Sequence, residues 1–214
     1  MRFKCVFIFL AVLMPTMCKG PIDITFVIDG SASAEYNTHG GFRHTLKLVK
    51  EFANNFVIGP NNARFGLVVF ATEAGTIFKF ETHKTKESLL SDIDKIQFPG
   101  TTSFLGKGLR QAKDDVLKTR RRNVPQKMIV LTDALTHDDP FTVANQIRAE
   151  NVEVYAVSVG IRSNQTVLQA IITQPVNKHL FSSKQRLDEL MKAVKEGACK
   201  GMDVFFEVNV KFVN

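Results

Sequence analysis

The chain has 214 residues, the length of one compact domain or at most two. Hydrophobic residues make up 44% of it and charged residues 23%, which are ordinary globular values that exclude a disordered, collagen-like or coiled-coil chain. The formal net charge of +7 permits binding to acidic polymers such as heparin-like glycans, although part of that charge lies in the first few residues. With 18 phenylalanines, 2 tyrosines and no tryptophan, the sequence favours a phenylalanine-filled core.

The first twenty residues have the pattern of a secretory signal peptide. A short basic stretch, MRFK, precedes an apolar run of ten residues from Cys5 to Met14. That run is too short to cross a bilayer but has the length of a signal-peptide core, and no later stretch approaches 18 apolar residues. We predict a signal peptide of residues 1–18, with cleavage as late as residue 20, and a secreted protein without a membrane span. The alternative is a buried N-terminal helix or strand.

The cleavage position decides how many cysteines the mature protein keeps. Small residues at positions −3 and −1 fit cleavage after Cys18 or after Gly20, whereas cleavage after Met17 fits that rule poorly but keeps Cys18. Cys5 leaves with the leader. If Cys18 survives, we expect it to pair with Cys199 in an oxidising compartment and to close a loop of about 180 residues. If it is removed, Cys199 is an odd cysteine available for an intermolecular bond.

The first half of the chain has the pattern of a strand, a helix and two further strands. A β-rich run covers residues 22–28 and ends at Asp29, and a helix is predicted over residues 39–56 after a turn rich in Gly, Ser and Ala. The apolar face of that helix comprises Phe42, Thr45, Leu46, Val49, Phe52, Ala53 and Phe56. The segment GPNN at 59–62 then interrupts the chain. Strands follow at 64–70 and 75–80, close enough to form an antiparallel hairpin.

The second half alternates helices with buried strands. Helices are predicted over residues 86–96 and 103–117, separated by a loop at 98–102. Residues 127–132 and 152–159 are nearly continuous apolar strands, typical of central parallel strands covered on both faces. The remaining predicted elements are helices at 141–150, 165–173 and 184–196 and a short strand at 179–182.

This alternation predicts the fold class. Strands that alternate with helices indicate an α/β fold, a doubly wound, mostly parallel six-stranded sheet with one antiparallel edge strand and helices on both faces. We place this domain at residues 21–200. The C-terminal tail of residues 201–214 alternates weakly between apolar and polar residues and could add a strand.

Polar residues follow two of the predicted strands at the sheet edge where such folds bind ligands. Asp29 ends the first strand and is followed by Ser31 and Ser33, Asp133 follows the fourth strand, and a loop carrying Thr101 opens a helix between them. We expect these five side chains to meet near the point where the strand order reverses, with Asp29 facing solvent. Two carboxylates, three hydroxyls and water form an oxygen shell suited to a hard cation. The sequence therefore predicts a Mg²⁺ site, with Ca²⁺ or Mn²⁺ as alternatives.

Each of these residues also has a simpler structural role. Asp29 and Asp133 fit strand-end and turn positions, and Ser31, Ser33 and Thr101 fit caps of helices or turns. The whole set, in this order and at predicted strand ends, favours metal binding over those separate roles.

The segments that carry this site resemble a known family. ITFVIDGSAS (24–33), GTTS (100–103) and VLTD (130–133) closely resemble the von Willebrand factor type A domain, above all the A domains of collagen VI chains and matrilins. The resemblance covers about residues 21–200. It implies a Rossmann-like fold with a metal-ion-dependent adhesion site at Asp29, Ser31, Ser33, Thr101 and Asp133. The serines and the threonine would contact the ion, and the aspartates would act directly or through water.

The resemblance also bears on the cysteines and on Ala134. Cysteines that flank an A domain are familiar in that family, which favours a disulfide between Cys18 and Cys199. Glycine usually follows the second aspartate of the family's site, whereas this chain has Ala134. An alanine fits there if the backbone does not need a positive φ.

Two features lie outside the predicted metal site. The sequon NQT at 164–166 is the only one in the chain, and it predicts an N-linked glycan on Asn164 of an exported protein. A basic cluster precedes the fourth strand and should lie at the sheet edge opposite the metal, and it comprises Lys118, Arg120, Arg121 and Arg122, followed by Lys127. It is either a site for a heparin-like glycan or a solvated loop.

The sequence offers no catalytic machinery. It contains no nucleophile elbow with a Ser-His-Asp order, no Cys-His pair and no phosphate-binding glycine motif, and a metal-dependent hydrolase would lack a general base. We predict a non-enzymatic extracellular-matrix module whose cation holds an acidic side chain of a matrix protein such as collagen, and no nucleic-acid partner. A heparin-like glycan is a second candidate ligand, with a solvated loop as the alternative. The alternative is a structural matrix component whose metal site mainly stabilises the fold.

Overall fold

The computed structural model describes residues 20–37, 41–160, 162–182 and 187–196. The predicted signal peptide, Cys18, Cys199 and the tail of residues 201–214 lie outside these ranges, so the leader and the disulfide remain predictions. Within the same ranges, no helix is long and apolar enough to cross a membrane.

A six-stranded sheet forms the centre of the molecule. Its strands are β1 (Ile22–Asp29), β2 (Ala63–Phe70), β3 (Ala74–Phe78), β4 (Gln126–Thr132), β5 (Val152–Ser158) and β6 (Leu180–Ser182), in the order β3-β2-β1-β4-β5-β6. Neighbouring strands are parallel except for β2 and β3, which form the antiparallel hairpin. The predicted α/β fold with one antiparallel edge strand is confirmed.

Helices cover both faces of the sheet. They are α1 (Ala32–Asn37), α2 (Gly41–Ala53), α3 (Lys86–Asp94), α4 (Leu105–Gln111), α5 (Phe141–Ala149), α6 (Gln165–Ile171), α7 (Val176–His179) and α8 (Leu187–Glu196). After α4 the chain continues as a π-helical turn at Ala112–Val116 and a 3₁₀ turn at Leu117–Thr119, so the helix predicted over 103–117 is a composite. The sequence pattern did not predict α1 or α7, because six and four residues are too few to show an apolar period.

The core is built on the two faces of the sheet. Residues of α2, α3 and α8 pack on one face, and residues of α4, α5 and α6 pack on the other. The predicted apolar face of α2 is buried, and phenylalanine rings dominate the core beneath it. Phe26 stacks on Phe65 with a centroid distance of 5.9 Å and meets Phe52 edge-on at 5.5 Å. The prediction of a phenylalanine-filled core is confirmed for this face, whereas the core on the other face is mainly aliphatic and, within the described residues, contains only Phe70 and Phe80 as phenylalanines.

The strand order places a crevice at one edge of the sheet. The order reverses between β1, which continues towards β2, and β4, which continues towards β5. In doubly wound sheets, ligands bind beyond the carboxyl ends of the strands at such a reversal. Asp29 ends β1, and Asp133 directly follows β4.

Candidate metal centre

Three loops meet at the carboxyl edge of β1 and β4. Ile28 pairs with Leu131 in the parallel ladder, so the chain leaves both strands side by side. The loop before α4 joins them through two backbone hydrogen bonds, in which Gly100 N–H donates to Gly30 O at 3.0 Å and Ala32 N–H donates to Thr101 O at 2.9 Å. Thr101 thereby pairs with Ser31 in an isolated β-bridge.

A glycine permits this close approach of the first two loops. A Cβ atom on Gly30 would lie 2.7 Å from Cδ of Pro99 and 3.1 Å from a methyl of Val69, so no other residue fits without displacing the loop. Gly100 has a φ of +69°, which is also a glycine conformation. The glycines beside Ser31 and Thr101 therefore set the spacing between these two hydroxyl-bearing loops.

The hydroxyl groups of the predicted site gather at the start of α1. The Oγ atoms of Ser31 and Ser33 share a hydrogen bond of 3.1 Å, because the first turn of α1 brings them together. Ser31 is buried and Ser33 half-buried, while Thr101 is exposed. Thr101 Oγ1 accepts a hydrogen bond from Thr72 N–H at 3.1 Å, which fixes its side chain on the neighbouring loop. Ser33 and Thr101 are thus the two of these three residues that solvent reaches most readily.

Asp29 lies in a polar pocket of its own. Its Oδ1 accepts a hydrogen bond from Ser31 N–H at 2.9 Å, and its Oδ2 accepts from Thr132 Oγ1 at 2.5 Å and from Ser103 Oγ at 3.3 Å. The side chain is buried, with 2% of the residue exposed, so the expectation of a solvent-facing Asp29 is wrong. The hydroxyls of Thr132 and Ser103 reach it because they flank the predicted ligands on the adjacent loops. Sequence reasoning missed both, although each lies within two residues of a predicted ligand.

The surroundings of Asp29 disfavour its charge. Burial raises the pKa of Asp29 to about 6, although the hydrogen bonds from Ser31 and Thr132 act in the opposite direction. The negative charge of Asp133 raises this pKa further. The two buried carboxylates therefore repel each other, and a divalent cation bound beside them would offset this repulsion.

Asp133 is fixed by the backbone around it. Its Oδ1 accepts a hydrogen bond from Leu135 N–H at 2.9 Å, and its carbonyl oxygen accepts one from Asn164 N–H at 2.8 Å. Like Asp29, the residue is buried. The loop that follows β4 therefore holds the second carboxylate at the same edge as the first.

Ala134 adopts the left-handed conformation that its position requires. An alanine would fit here without strain if its φ were negative. The φ of Ala134 is 57°, so this condition is not met. A left-handed alanine costs roughly 1 kcal/mol. Burial of its methyl group in the core beneath α4 and α5 offsets part of that cost. The conformation lets Ala134 N–H donate to Thr132 Oγ1 at 2.8 Å, so the residue departs from the family's glycine while it keeps the turn.

The donor set fits a hard divalent cation. In the part of the chain that the structure describes, no three side chains of His, Cys, Asp and Glu come together. The available donors are two carboxylates and three hydroxyls, which are the oxygen ligands that Mg²⁺, Mn²⁺ and Ca²⁺ accept. The structure brings together the loops that carry Asp29, Ser31, Ser33, Thr101 and Asp133.

Asn164 lies beside this centre. It is exposed at the N-terminus of α6, where its Oδ1 accepts a hydrogen bond from Val167 N–H at 3.2 Å. An N-linked glycan would be attached to the Nδ2 atom and would leave this cap intact. Glycosylation of Asn164 remains a prediction that this geometry allows.

Comparison with curated proteins finds relatives along most of the chain. Mouse matrilin-2 is 28% identical over 193 residues, a match that covers 86% of this chain and 20% of the relative. Human vitrin is 29% identical over 164 residues, covering 77% of this chain and 24% of the relative. The chain thus spans about a fifth to a quarter of the length of these two proteins.

Solved structures are similar over the same region. The proximal thread matrix protein 1 of the mussel byssus, in a structure with a zinc-occupied MIDAS motif, matches with a TM-score of 0.75 and 27% identity, covering 86% of this chain and 48% of that chain. The manganese-loaded TRAP protein of Plasmodium vivax matches in fold, with a TM-score of 0.69 and 17% identity, covering 84% of this chain and 74% of that chain.

A family model that matches most of the chain identifies the family. The sequence model of the von Willebrand factor type A domain matches residues 23–195, which run from the start of β1 to the end of α8. Fold, strand order and the positions of the site loops agree with that match. The chain belongs to the von Willebrand factor type A domain family.

Proposed function

We propose that this protein is a secreted, non-enzymatic module of the extracellular matrix that binds a matrix protein through a divalent cation. The observation that carries the proposal is the meeting of the three loops that carry two buried aspartates and three hydroxyl-bearing residues, at the point where the strand order reverses. The named relatives, among them matrilins, vitrin and a byssal thread matrix protein, support a role in the matrix. The zinc-occupied MIDAS motif of the byssal protein supports a cation at the corresponding edge.

Some of these residues would contact the cation directly, and others would act through water or through their charge. Ser31, Ser33 and Thr101 would contact Mg²⁺ through their hydroxyl oxygens. Both oxygens of Asp29 already accept hydrogen bonds from the protein, which suits Asp29 to act through water. Asp133 supplies the second negative charge. When bound, the cation supplies a positive centre for an acidic side chain of the partner.

Exposed apolar side chains lie on the segments that carry the predicted ligands, and we infer from them what flanks the acidic group of the partner. Of five large apolar residues exposed in the described ranges, three lie within three positions of a predicted ligand: Tyr36, Phe98 and Leu135. Phe141 is exposed at the start of α5, after the loop that carries Asp133. Phe98 is held in place against Phe42, with ring centroids 5.5 Å apart. A partner segment with an acidic residue between apolar side chains would match this surface.

Cation dependence of matrix binding tests the proposed function. Retention of the purified protein on a surface coated with solubilised extracellular matrix is measured in Mg²⁺ and in EDTA, beside its thermal unfolding. We expect retention in Mg²⁺ that is lost in EDTA and in Asp133→Asn. If EDTA lowers the unfolding temperature but leaves retention unchanged, the site is mainly stabilising and the structural alternative is correct.

The apolar surface makes a separate prediction with a matched control. Tyr36→Ser and Leu135→Ser should weaken Mg²⁺-dependent retention about tenfold, since each removes buried apolar area worth roughly 1–2 kcal/mol at an interface. Neither should change Mg²⁺ affinity. Ile77→Ser is the control, because Ile77 is as exposed as Leu135 (41% and 38%) but lies on the edge strand β3. Equal losses in all three variants would contradict a specific surface around the metal centre.

A further inference from the structure

A second pocket lies at the amino edge of the sheet, opposite the metal centre. It encloses about 540 Å³ between the 3₁₀ turn, the loop before β4 and the end of α5. Its lining residues are Leu117, Lys118, Arg120, Arg122, Val124, Gln126, Glu150 and Asn151. A volume of this size is in the range of small-ligand sites, roughly 300–1,000 Å³. The predicted basic cluster therefore borders a concave surface.

The pocket has an excess of positive charge. Glu150 is the only carboxylate in its lining, and Arg120 Nη2 neutralises it at 2.9 Å, with Lys113 Nζ at 3.8 Å. Lys118 and Arg122 are exposed and form no ion pair within the described residues. The nearby Asp115 is within electrostatic reach of Lys118 but forms its ion pair with Lys79. Lys118 and Arg122 can therefore meet an anion from solvent, while the acidic group of the lining is already paired.

Gln126 adds a buried acceptor to this lining. Its Nε2 donates to Arg121 O at 2.7 Å and to Val124 O at 3.0 Å, which fixes the orientation of the amide, because a flipped oxygen would face two carbonyl groups. Its Oε1 is buried and has no hydrogen-bond donor in the described ranges. A buried acceptor without a donor is destabilising, so a rearrangement that brings a hydroxyl group to Gln126 Oε1 would be favourable.

Arg121 does not line the pocket, although it belongs to the same basic stretch of the sequence. Its Nη2 donates to Asp23 Oδ1 at 2.7 Å and to the carbonyl oxygens of Ile22 at 3.0 Å and Asn62 at 2.8 Å. Its backbone N–H also donates to Asp23 at 2.7 Å. Of the predicted basic set, Lys118, Arg120 and Arg122 line the pocket, and Arg121 anchors the loop that presents them.

We propose that this pocket binds a sulfated glycan. Lys118 and Arg122 would meet sulfate groups, so the two cations carry the recognition. A sugar hydroxyl would reach Gln126 Oε1 only after a shift of the lining that exposes this atom. Arg120 also lines the pocket, where its guanidinium is held by Leu117 O and by Glu150. Because the metal centre lies at the opposite edge of the sheet, glycan binding would require no cation. One domain could then hold a matrix protein at one edge and a glycan at the other.

The test measures binding of a heparin hexasaccharide by calorimetry in EDTA at physiological salt. Lys118→Gln/Arg122→Gln should bind at least tenfold more weakly than the unmodified protein. The control, Lys84→Gln/Arg110→Gln, removes the same charge from exposed positions outside the pocket and should bind within twofold of it. Thermal unfolding of both variants should match the unmodified protein, since all four side chains are exposed.

Two further probes separate a glycan site from general attraction between charges. A desulfated hexasaccharide should bind weakly, and single-stranded DNA of equal charge should bind more weakly than heparin, because it cannot fill the pocket in the same way. The affinity for heparin should fall less steeply with salt in Lys118→Gln/Arg122→Gln, which lacks two ionic contacts. Equal losses in the pocket and control variants, or equal binding of DNA and heparin, would overturn the proposal.

Discussion

Asp23 organises the amino edge of the sheet, where the loop before β4 is anchored. Its carboxylate is fully buried and accepts hydrogen bonds from Arg64 Nε at 2.9 Å and Arg64 Nη2 at 2.8 Å, besides those from Arg121. Burial raises the pKa of Asp23, but the hydrogen bonds from Arg64 and Arg121 outweigh that effect and hold the pKa below its ordinary value. The ionised form is therefore the one that the fold stabilises.

The direction of this pKa shift predicts how stability depends on pH. A carboxylate with a lowered pKa in the folded state stabilises the protein above its unfolded pKa of about 3.9, and this contribution is lost as the pH falls through the folded value. Asp23→Asn should reduce the free energy of unfolding at pH 7 by about 3 kcal/mol, because it leaves two buried arginine contacts unpaired. Its stability should also fall less steeply below about pH 4. Urea denaturation across this pH range checks both expectations.

A surface carboxylate serves as the control for this measurement. Asp114 is exposed, so Asp114→Asn should follow the pH profile of the unmodified protein. Parallel profiles for Asp23→Asn and the unmodified protein would show that Asp23 does not contribute to acid unfolding.

Single residues also show which features of the site could be predicted from the sequence and which could not. Asp29, Ser31, Ser33, Thr101 and Asp133 could be predicted because they follow strands whose ends must meet. The burial of Asp29 could not, since it depends on Thr132 and Ser103 from two other loops. The positive φ of Ala134 could not be predicted either, because it accompanies hydrogen bonds that form only in the folded turn. In these, Ala134 N–H donates to Thr132 Oγ1 and Leu135 N–H donates to Asp133 Oδ1.

Between elements, β2 packs closely against the π-helical turn. A Cβ atom on Gly66 would lie 2.2 Å from a methyl of the buried Val116, and its next neighbours would be 3.6 Å away. Gly66→Ala should therefore lower the free energy of unfolding by about 2 kcal/mol through overpacking. Val116→Ala should cost a similar amount, about 2 kcal/mol, by leaving a cavity.

A double-mutant cycle isolates this contact. In Gly66→Ala/Val116→Ala the new methyl enters the space that the valine vacates, so the double variant should lose less stability than the sum of the single variants. Chemical denaturation of the four proteins measures the coupling. Strict additivity would show that Gly66 and Val116 do not restrict each other.

The elements differed in how far the sequence could predict them. The helix α2 was evident because six apolar positions recur at helical spacing from Phe42 to Phe56, although the helix itself ends at Ala53. The π-helical turn after α4 could not be predicted, because the apolar residues keep the spacing of a regular helix while the backbone widens. These residues are Leu105, Leu109, Ala112 and Val116. The short helices α1 and α7 lack any period, and they form where neighbouring loops fix the chain.

At the scale of the molecule, the doubly wound topology separates two candidate binding sites. The carboxyl edge carries the metal centre with its apolar surroundings, and the amino edge carries the basic pocket. The alternation of strands and helices predicted this division, since it fixed which strand ends share an edge. The pocket itself could not be predicted, because its shape depends on the arginine network around Asp23.

The choice of variant matters for a test of the metal centre. Asp29→Ala would leave the donors of Ser31, Ser103 and Thr132 without an acceptor, so it would destabilise the fold as well as remove a charge. Asp133→Asn is better suited, because its amide oxygen can still accept from Leu135 N–H. Asp139→Asn, an exposed change outside the predicted ligands, is the matched control.

Calorimetric titration of Mg²⁺ into these proteins, with thermal unfolding of the same samples, tests the central claim most directly. The unmodified protein and Asp139→Asn should bind Mg²⁺ and gain about 2.7 kcal/mol of stability at a concentration of 100 Kd. Without metal, Asp133→Asn should unfold at or above the temperature of the unmodified protein, since it loses the charge that repels Asp29. Its Mg²⁺ affinity should fall at least a hundredfold. Mg²⁺ binding by Asp133→Asn as tight as by the unmodified protein would contradict a metal centre at this edge.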